Sequence, residues 1–95
     1  MKINNYGTEY DVTIVKTRYF DGNFAIALMC SDDYEPYGNL TVNLGERLPE
    51  NMAYVDTNNM PNAERFIKDN KLGKFTGKTR KSGYCEYPLY EFNFA

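Results

Sequence analysis

The side chains in this sequence that could do chemistry are its charged ones, and they are unevenly distributed. Residues 65–81 contain seven of the eleven lysines and arginines and only one acid, Asp69, which gives a net charge of +6 from 7 − 1. Residues 1–64 contain four bases and ten acids, a net charge of −6, and residues 82–95 add −2 through two glutamates. Charge separated in this way bears on association with partners and not on the fold.

The basic segment supports two interpretations. Its cations, with the aromatic residues Phe75, Tyr84, Tyr87 and Tyr90 in and after it, fit a surface that binds phosphates and stacks bases. A solvated helix end and hairpin tip would show the same composition, and an overall isoelectric point near 5.0 argues against a general nucleic-acid binder. The candidate partner-binding residues here are Lys68, Lys71, Lys74, Lys78, Arg80 and Lys81.

A short acidic loop is the second candidate contact. Asp32, Asp33 and Glu35 lie together and are flanked by Tyr34 and Tyr37. Such a run is often only a solvated loop, but it would also fit a basic partner, such as a nucleic-acid channel of a larger protein. We therefore include these three acids among the candidate partner-binding residues.

Enzymatic chemistry has little to draw on in this chain. Histidine is absent, which excludes triads with a histidine base and removes most zinc sites. Thr76-Gly77-Lys78-Thr79 is like the end of a phosphate-binding loop, but Leu72 stands where that motif needs its first glycine. We expect no enzyme activity, no catalytic residues, no metal site and no cofactor.

Size and composition indicate one domain over residues 1–95. Cys30 and Cys85 are too few for a disulfide scaffold, so reduced thiols are the favoured prediction and a disulfide between them stays open. The N-terminus lacks a signal-peptide pattern and no stretch is apolar enough to cross a membrane, which predicts a cytoplasmic protein without membrane contact. The sequence does not predict an oligomeric state.

Alternation of apolar residues predicts the strands. Residues 10–20 form a strand with a bulge near Val15, Asp21-Gly22 is a type I′ turn, and residues 24–30 return as the partner. Residues 31–38 are predicted to be a loop, residues 40–44 a half-buried strand with Thr41 on the wet face, and residues 52–55 a short strand. The expected core residues are Phe24, Ile26, Leu28, Leu40, Val42, Leu44, Phe66 and Ile67.

One helix is expected after residues 56–59, which carry capping side chains, with Pro61 in its first turn and Gly73 as a left-handed cap. Residues 74–79 and 83–94 should then form a hairpin around a loop at residues 80–82, broken or at an edge near Pro88. The predicted fold class is α+β, an antiparallel β meander with one short α-helix and a C-terminal β-hairpin.

Three blocks carry a resemblance, LTVNL at residues 40–44, VDTNN at residues 55–59 and SGYCEYP at residues 82–88. In these blocks the chain resembles an uncharacterised small-protein family of Firmicutes and their mobile elements, classed as a domain of unknown function. The resemblance implies a mobile-element or phage setting and no chemistry. By analogy, the expected function is a non-enzymatic interaction protein that binds a host defence protein or ribonucleoprotein, in the manner of an anti-CRISPR inhibitor. The alternative is a nucleic-acid-binding accessory protein that uses residues 68–81.

Overall fold

The computed structural model describes residues 1–93 and shows two four-stranded antiparallel sheets with one short helix. The first sheet is a meander of β1 (Lys2–Asn5), β2 (Thr8–Arg18), β3 (Phe24–Cys30) and β4 (Pro36–Asn39), in that order. This architecture confirms the predicted α+β class, the meander and the single short helix.

The second sheet consists of β5 (Thr41–Val42), β6 (Met52–Val55), β7 (Gly73–Ser82) and β8 (Cys85–Phe92). Its strand order is β5-β6-β8-β7, so β8 of the C-terminal hairpin is an inner strand and β7 is an edge strand. The hairpin is confirmed, but β7 continues through residues 80–82 and the turn lies at Gly83-Tyr84, so the loop predicted there was wrong. Phe94, the predicted end of this hairpin, lies outside the described residues.

Leu40 connects the two sheets. Its backbone N–H donates to the carbonyl of Ile26 in β3, and its own carbonyl accepts from the N–H of Asp56, just after β6. The chain therefore passes from β4 into β5 through a residue that is hydrogen-bonded to both sheets. The side chain of Leu40 is fully buried.

The main core lies between the sheets and the helix α1 (Ala63–Asp69). Six of the eight predicted core residues are buried in it, namely Phe24, Ile26, Leu28, Leu40, Phe66 and Ile67. Val42 and Leu44 are only partly buried and pack instead on a smaller cluster formed by Tyr54, Tyr87 and Leu89. For these two residues the predicted place in the main core was wrong.

Several predicted strand boundaries were also wrong. Register between β2 and β3 is continuous from Val12 opposite Cys30 to Arg18 opposite Phe24, so no bulge occurs at Val15. Residues 36–39 form β4 instead of a loop, and β5 ends at Val42. Asn43 leaves the strand because its amide group bonds to Asp21 and Asn23 at the β2–β3 turn.

Thr41 is buried, although the alternation pattern placed it in solvent. Its hydroxyl oxygen accepts from the backbone N–H of Ile26 at 3.1 Å and shares a hydrogen bond of 2.7 Å with the hydroxyl of Tyr19. A buried polar group with its hydrogen bonds satisfied costs little, so threonine suits this corner of the fold.

The helix is shorter than predicted at both ends. Asp56 does not cap it, because its carboxylate accepts from the backbone and side chain of Asn59 in the preceding turn. At the other end Lys71, with φ +54°, takes the left-handed position expected for Gly73, which is already the first residue of β7. The buried stripe of Ala63, Phe66 and Ile67 is confirmed.

Two hairpin turns differ from the sequence-based expectation. Tyr6 and Gly7 both have positive φ, which is typical of a type I′ turn, and they connect β1 to β2 in a hairpin that the sequence analysis missed. At the predicted type I′ turn only Gly22 has positive φ. The N–H of Tyr19 donates to the carbonyl of Asn23, and the N–H of Gly22 donates to the carbonyl of Tyr19. The β2–β3 hairpin itself is confirmed.

Candidate interaction surfaces

One end of the first sheet combines exposed tyrosines with carboxylates. The β1–β2 turn, the start of β2 and the β3–β4 loop meet there, because the N–H of Ser31 donates to the carbonyl of Asp11 at 2.9 Å. We call this surface the tyrosine–acid end and define it by Tyr6, Tyr10, Asp32, Asp33, Tyr34, Glu35 and Tyr37.

Backbone conformation holds two of these tyrosines outward. Tyr6 and Tyr34 both have positive φ, at 51° and 60°, and their side chains are 88% and 75% exposed. A positive φ is uncommon for a residue with a side chain, so the turns around them must stabilise it. In the loop that contains Tyr34, the backbone carbonyl of Cys30 accepts from the N–H of Tyr34. The carboxylate of Asp33 accepts from the N–H of Glu35.

The other two tyrosines form an aromatic pair at the rim of the core. The ring centroids of Tyr10 and Tyr37 are 5.3 Å apart and the planes are tilted by 57°. Burial, and to a smaller degree the neighbouring Tyr10, raises the pKa of the Tyr37 hydroxyl, while a hydrogen bond with the Asn5 side chain partly offsets this. The pair gives this end a rigid apolar centre, since aromatic pairs at such distances attract one another.

The predicted acidic residues are all exposed on this end. Asp32, Asp33 and Glu35 lie in the β3–β4 loop, whereas Glu9 of β2 lines a separate cavity together with Lys2 and Arg65. Residues 3–15 and 30–39, which build the surface, contain five acids and no lysine or arginine. Of these acids Asp11 is paired with the N-terminal ammonium at 3.1 Å and with Lys2 at 3.6 Å.

A polar cavity of about 440 Å³ adjoins the tyrosine–acid end. Tyr6 and Tyr37 lie on its rim, and its walls come from β1, β4 and the turn before α1. Five asparagines line it, Asn4, Asn5, Asn39, Asn59 and Asn62. Amide groups offer both donors and acceptors, so the cavity can bind uncharged polar groups of a partner.

The predicted basic residues lie on a different part of the molecule. Lys68 is in the last turn of α1 and Lys71 follows it, while Lys74, Lys78, Arg80 and Lys81 belong to β7, an edge strand of the second sheet. All six are exposed. They do not share one face, because Arg80 lies opposite Tyr87 and Lys81 opposite Glu86, and neighbouring strand residues point to opposite sides.

Two of these six cations are partly neutralised. Lys74 lies 3.7 Å from a carboxylate oxygen of Glu91, and Arg80 lies 3.7 Å from one of Glu46. Within residues 1–93 no ion pair is formed by Lys68, Lys71, Lys78 or Lys81. Lysines also protect an edge strand from pairing with other chains, which is an ordinary reason for their presence on β7.

Pro88 illustrates how β8 tolerates a residue without an N–H. The strand is not broken there, but its pairing with β6 ends at Leu89, opposite Tyr54. Pro88 is paired only with Thr79 of β7, next to an irregularity between Phe75 and Thr79. The predicted break was therefore wrong, while the predicted edge character is correct for the β6 side.

Two further kinds of functional feature are a cluster of metal ligands and a helix that could span a membrane. Among residues 1–93 no group of three or more aspartates, glutamates and cysteines could hold a metal ion. The helix found in this range has seven residues, too short to cross a membrane. Cys30 and Cys85 are free and half-buried, in different sheets.

Sequence reasoning identified the acidic loop but missed Tyr6 and Tyr10. These residues are distant from the loop along the chain and approach it only through the β1–β2 hairpin. Gly7 after two asparagines was the available signal for that turn, because such residues favour positive φ.

Comparison with known proteins supports membership of a family without assigning a role. Neither the curated proteins nor the solved structures gave a match to this chain. A family model described as a domain of unknown function (DUF4313) matches residues 13–95, which is most of the chain. The chain therefore belongs to the DUF4313 family of uncharacterised domains.

Proposed function

We propose that this protein is a non-enzymatic interaction module whose tyrosine–acid end binds a basic surface of a host protein or ribonucleoprotein. The observation that carries the proposal is that four tyrosines and three exposed carboxylates lie at an end built by residues 3–15 and 30–39, which contain no lysine or arginine. Tyr6 and Tyr34 extend outward and Tyr10 and Tyr37 form an aromatic pair, so this end combines aromatic contact area with negative charge.

Tyrosine is well suited to such a contact. Its ring offers a large apolar area with little side-chain entropy to lose, and its hydroxyl can hydrogen-bond, so tyrosines are enriched among the residues that dominate binding energy. The surrounding carboxylates would accelerate association with a positively charged partner and disfavour negatively charged ones. The adjacent asparagine-lined cavity could accept a polar side chain of the partner.

A surface that normally holds nucleic acid is the partner surface that fits best, because carboxylates would there replace phosphates. This supports the setting that we propose, a mobile element or phage whose product acts in the cytoplasm on a host defence protein, with inhibition of the CRISPR type as one outcome. Occupation of the partner's nucleic-acid channel would inhibit it without any catalytic step.

The test is affinity capture from host lysate, with and without nuclease, followed by binding measurements on the purified captured protein. Replacing Asp32, Asp33 and Glu35 by Asn, Asn and Gln should slow association at least several-fold at low salt and reduce its dependence on ionic strength. Tyr34→Ala should mainly accelerate dissociation. The matched control replaces Asp69, Glu50 and Glu91 by Asn, Gln and Gln. It changes the net charge by the same amount, but at exposed ion pairs elsewhere on the molecule. This control variant should bind as the parent does. Equal effects of both triple variants would reject the tyrosine–acid end as the contact.

A further inference from the structure

A shallow depression lies between the end of α1 and the start of β7, away from the tyrosine–acid end. Its volume is about 340 Å³, within the range of small-molecule sites. We call it the Phe75 depression and define it by its lining residues, Ile67, Lys68, Lys71, Gly73, Lys74, Phe75, Tyr90 and Asn93. No acidic residue belongs to this lining.

Its aromatic part is held in place and still accessible. Phe75 is 47% exposed on an edge strand, and its ring centroid lies 5.7 Å from that of Tyr90. The hydroxyl of Tyr90 donates to a carboxylate oxygen of Glu64 at 2.5 Å, and this hydrogen bond fixes the Tyr90 ring beneath Phe75. Phe75 therefore rests on a buried support and presents apolar ring surface to solvent, which favours stacking of a planar group.

Its cations come from the end of the helix. Lys68 and Lys71 are exposed and form no ion pair within residues 1–93, whereas the ammonium of Lys74 is 3.7 Å from Glu91. The free positive charge beside the ring is therefore that of Lys68 and Lys71.

Asn93 adds a polar group to the depression. Its amide nitrogen donates to the carbonyl of Lys71 at 3.0 Å, which anchors the turn that carries this lysine. The amide oxygen of Asn93 remains on the side chain as an acceptor, which a donor on the edge of a ring could use.

We propose that the Phe75 depression binds one nucleotide of a single-stranded nucleic acid, independently of the protein-binding end. The base would stack on Phe75, with a phosphate between Lys68 and Lys71. Lys78 and Lys81, further along β7 and free of ion pairs within residues 1–93, would meet the phosphates that follow. An exposed aromatic ring with unpaired cations is the combination that binds single strands without sequence preference.

A solvated helix end explains the lysines, which complement the helix dipole, but it does not explain the exposed ring beside them. An acidic peptide would form ion pairs with the lysines, but its binding would gain little from the exposed Phe75 ring. A duplex keeps its bases stacked inside and would use the cations alone. These three ligands therefore differ in how much they depend on Phe75.

The experiment is fluorescence anisotropy of the full chain with a labelled thymidine decanucleotide, the same sequence as a duplex, and a glutamate peptide of equal charge. Phe75→Ala should weaken binding of the single strand about 5- to 100-fold, and Phe75→Tyr should restore most of it. Phe75→Leu keeps apolar volume for folding but not the planar ring, so it should bind weakly while melting like the parent.

Charge variants complete the test. Lys68→Gln with Lys71→Gln should lower the dependence of log affinity on log salt by about 1.4, the value for two phosphate contacts on a single strand. Lys2→Gln with Arg47→Gln removes equal charge elsewhere and should leave that slope unchanged. The triple variant of Asp32, Asp33 and Glu35 should still bind the oligonucleotide, so failure of the two proposals can be told apart. Single-strand binding that Phe75→Leu leaves unchanged would overturn the nucleotide proposal. Equal affinity for the duplex or for the peptide would also overturn it.

Discussion

At the scale of single residues, the tyrosine hydroxyls are the groups whose pKa values this fold shifts in the largest number. Burial is the largest cause of a raised pKa for five of them, Tyr19, Tyr37, Tyr54, Tyr87 and Tyr90. For Tyr54 and Tyr90 a hydrogen bond to a carboxylate, of Glu46 and Glu64, raises the pKa further. An ionised phenolate beside a carboxylate would be unfavourable, so the folded protein holds these two phenolic protons more tightly than the unfolded chain does.

This gives a prediction for stability at alkaline pH. Below the ordinary tyrosine pKa of 10.0 both states keep their phenolic protons, so this contribution to stability is fully present. Above it the unfolded chain releases protons that the folded chain retains, so stability must fall as pH rises. Urea midpoints measured from about pH 9 to about pH 11 should decline, and Tyr90→Phe should decline less steeply. A Tyr90→Phe profile parallel to that of the parent would show that this hydroxyl does not contribute.

Gly73 is needed for close packing and not for a turn. It is paired with Phe92, and a Cβ added there would lie 2.5 Å from the carbonyl oxygen of Glu91 and 3.0 Å from the Cα of Phe92. Both obstacles are backbone atoms of the central strand β8, which cannot move without disturbing its pairing with β6.

Gly73→Ala should therefore destabilise the protein by about 1–3 kcal/mol, as overpacking does. Gly38→Ala is the matched control, because its Cβ would lie 3.2 Å from the flexible Cε end of Met60. That variant should cost less than about 1 kcal/mol, since methionine adapts its shape. Urea denaturation of both variants measures the difference, and equal costs would contradict the packing argument.

At the scale of elements, the corner at Leu40 holds the two sheets together. Its backbone is bonded to β3 and to the residue after β6, and its side chain is fully buried between the sheets. Val42, two residues further along, lies in the smaller outer cluster and is only partly buried. The same alternating stretch of sequence thus contributes to two clusters of different depth.

Leu40→Ala should accordingly cost about 2–5 kcal/mol, while Val42→Ala should cost only about 1 kcal/mol. The larger cost comes from a cavity in a site that cannot collapse, whereas the outer cluster can close over a smaller side chain. Urea denaturation at neutral pH provides both values. If Val42→Ala proved as costly as Leu40→Ala, the division of the core would be incorrect.

Local sequence patterns predicted the elements that depend on local order. The alternation of Phe24, Ile26 and Leu28 and the stripe of Phe66 and Ile67 correctly gave a strand and a helix. Thr41 was misplaced because its burial depends on a hydrogen bond to Tyr19, which no local pattern records. The early end of β5 likewise follows from bonds that Asn43 makes to residues twenty and twenty-two positions away.

The candidate surfaces show the same difference between local patterns, which the sequence reveals, and contacts between distant segments, which it does not. The acidic loop was visible as a run of neighbouring residues, and the structure placed it on an exposed end as a run of charges would suggest. Tyr6 and Tyr10 were not visible as partners of that loop, because β1 lies beside β2 only after the hairpin forms. Phe75 was noted for its charged neighbours, but its support by Tyr90 requires the pairing of β7 with β8.

At the scale of the whole molecule, the two charged regions of the sequence meet at the Arg80–Glu46 ion pair, but their unpaired charges lie on different parts of the fold. Unpaired acids gather at the tyrosine–acid end of the first sheet, and unpaired lysines lie at the end of α1 and along the edge of the second sheet. A partner with a basic surface and a bound nucleic acid would meet both regions with opposite charge. We therefore propose a ribonucleoprotein, and not a partner of uniform charge, as the ligand of the whole molecule.

The most direct test of the tyrosine–acid end is amide hydrogen exchange of this protein, free and in complex with the captured and purified host partner. We predict that binding protects residues 6–10 and residues 31–37, while the β2–β3 turn at residues 19–23 exchanges as in the free protein. Protection should be lost in the triple variant of Asp32, Asp33 and Glu35 at equal partner concentration. Protection confined to β7 and the end of α1, with no change at residues 31–37, would contradict the proposed function.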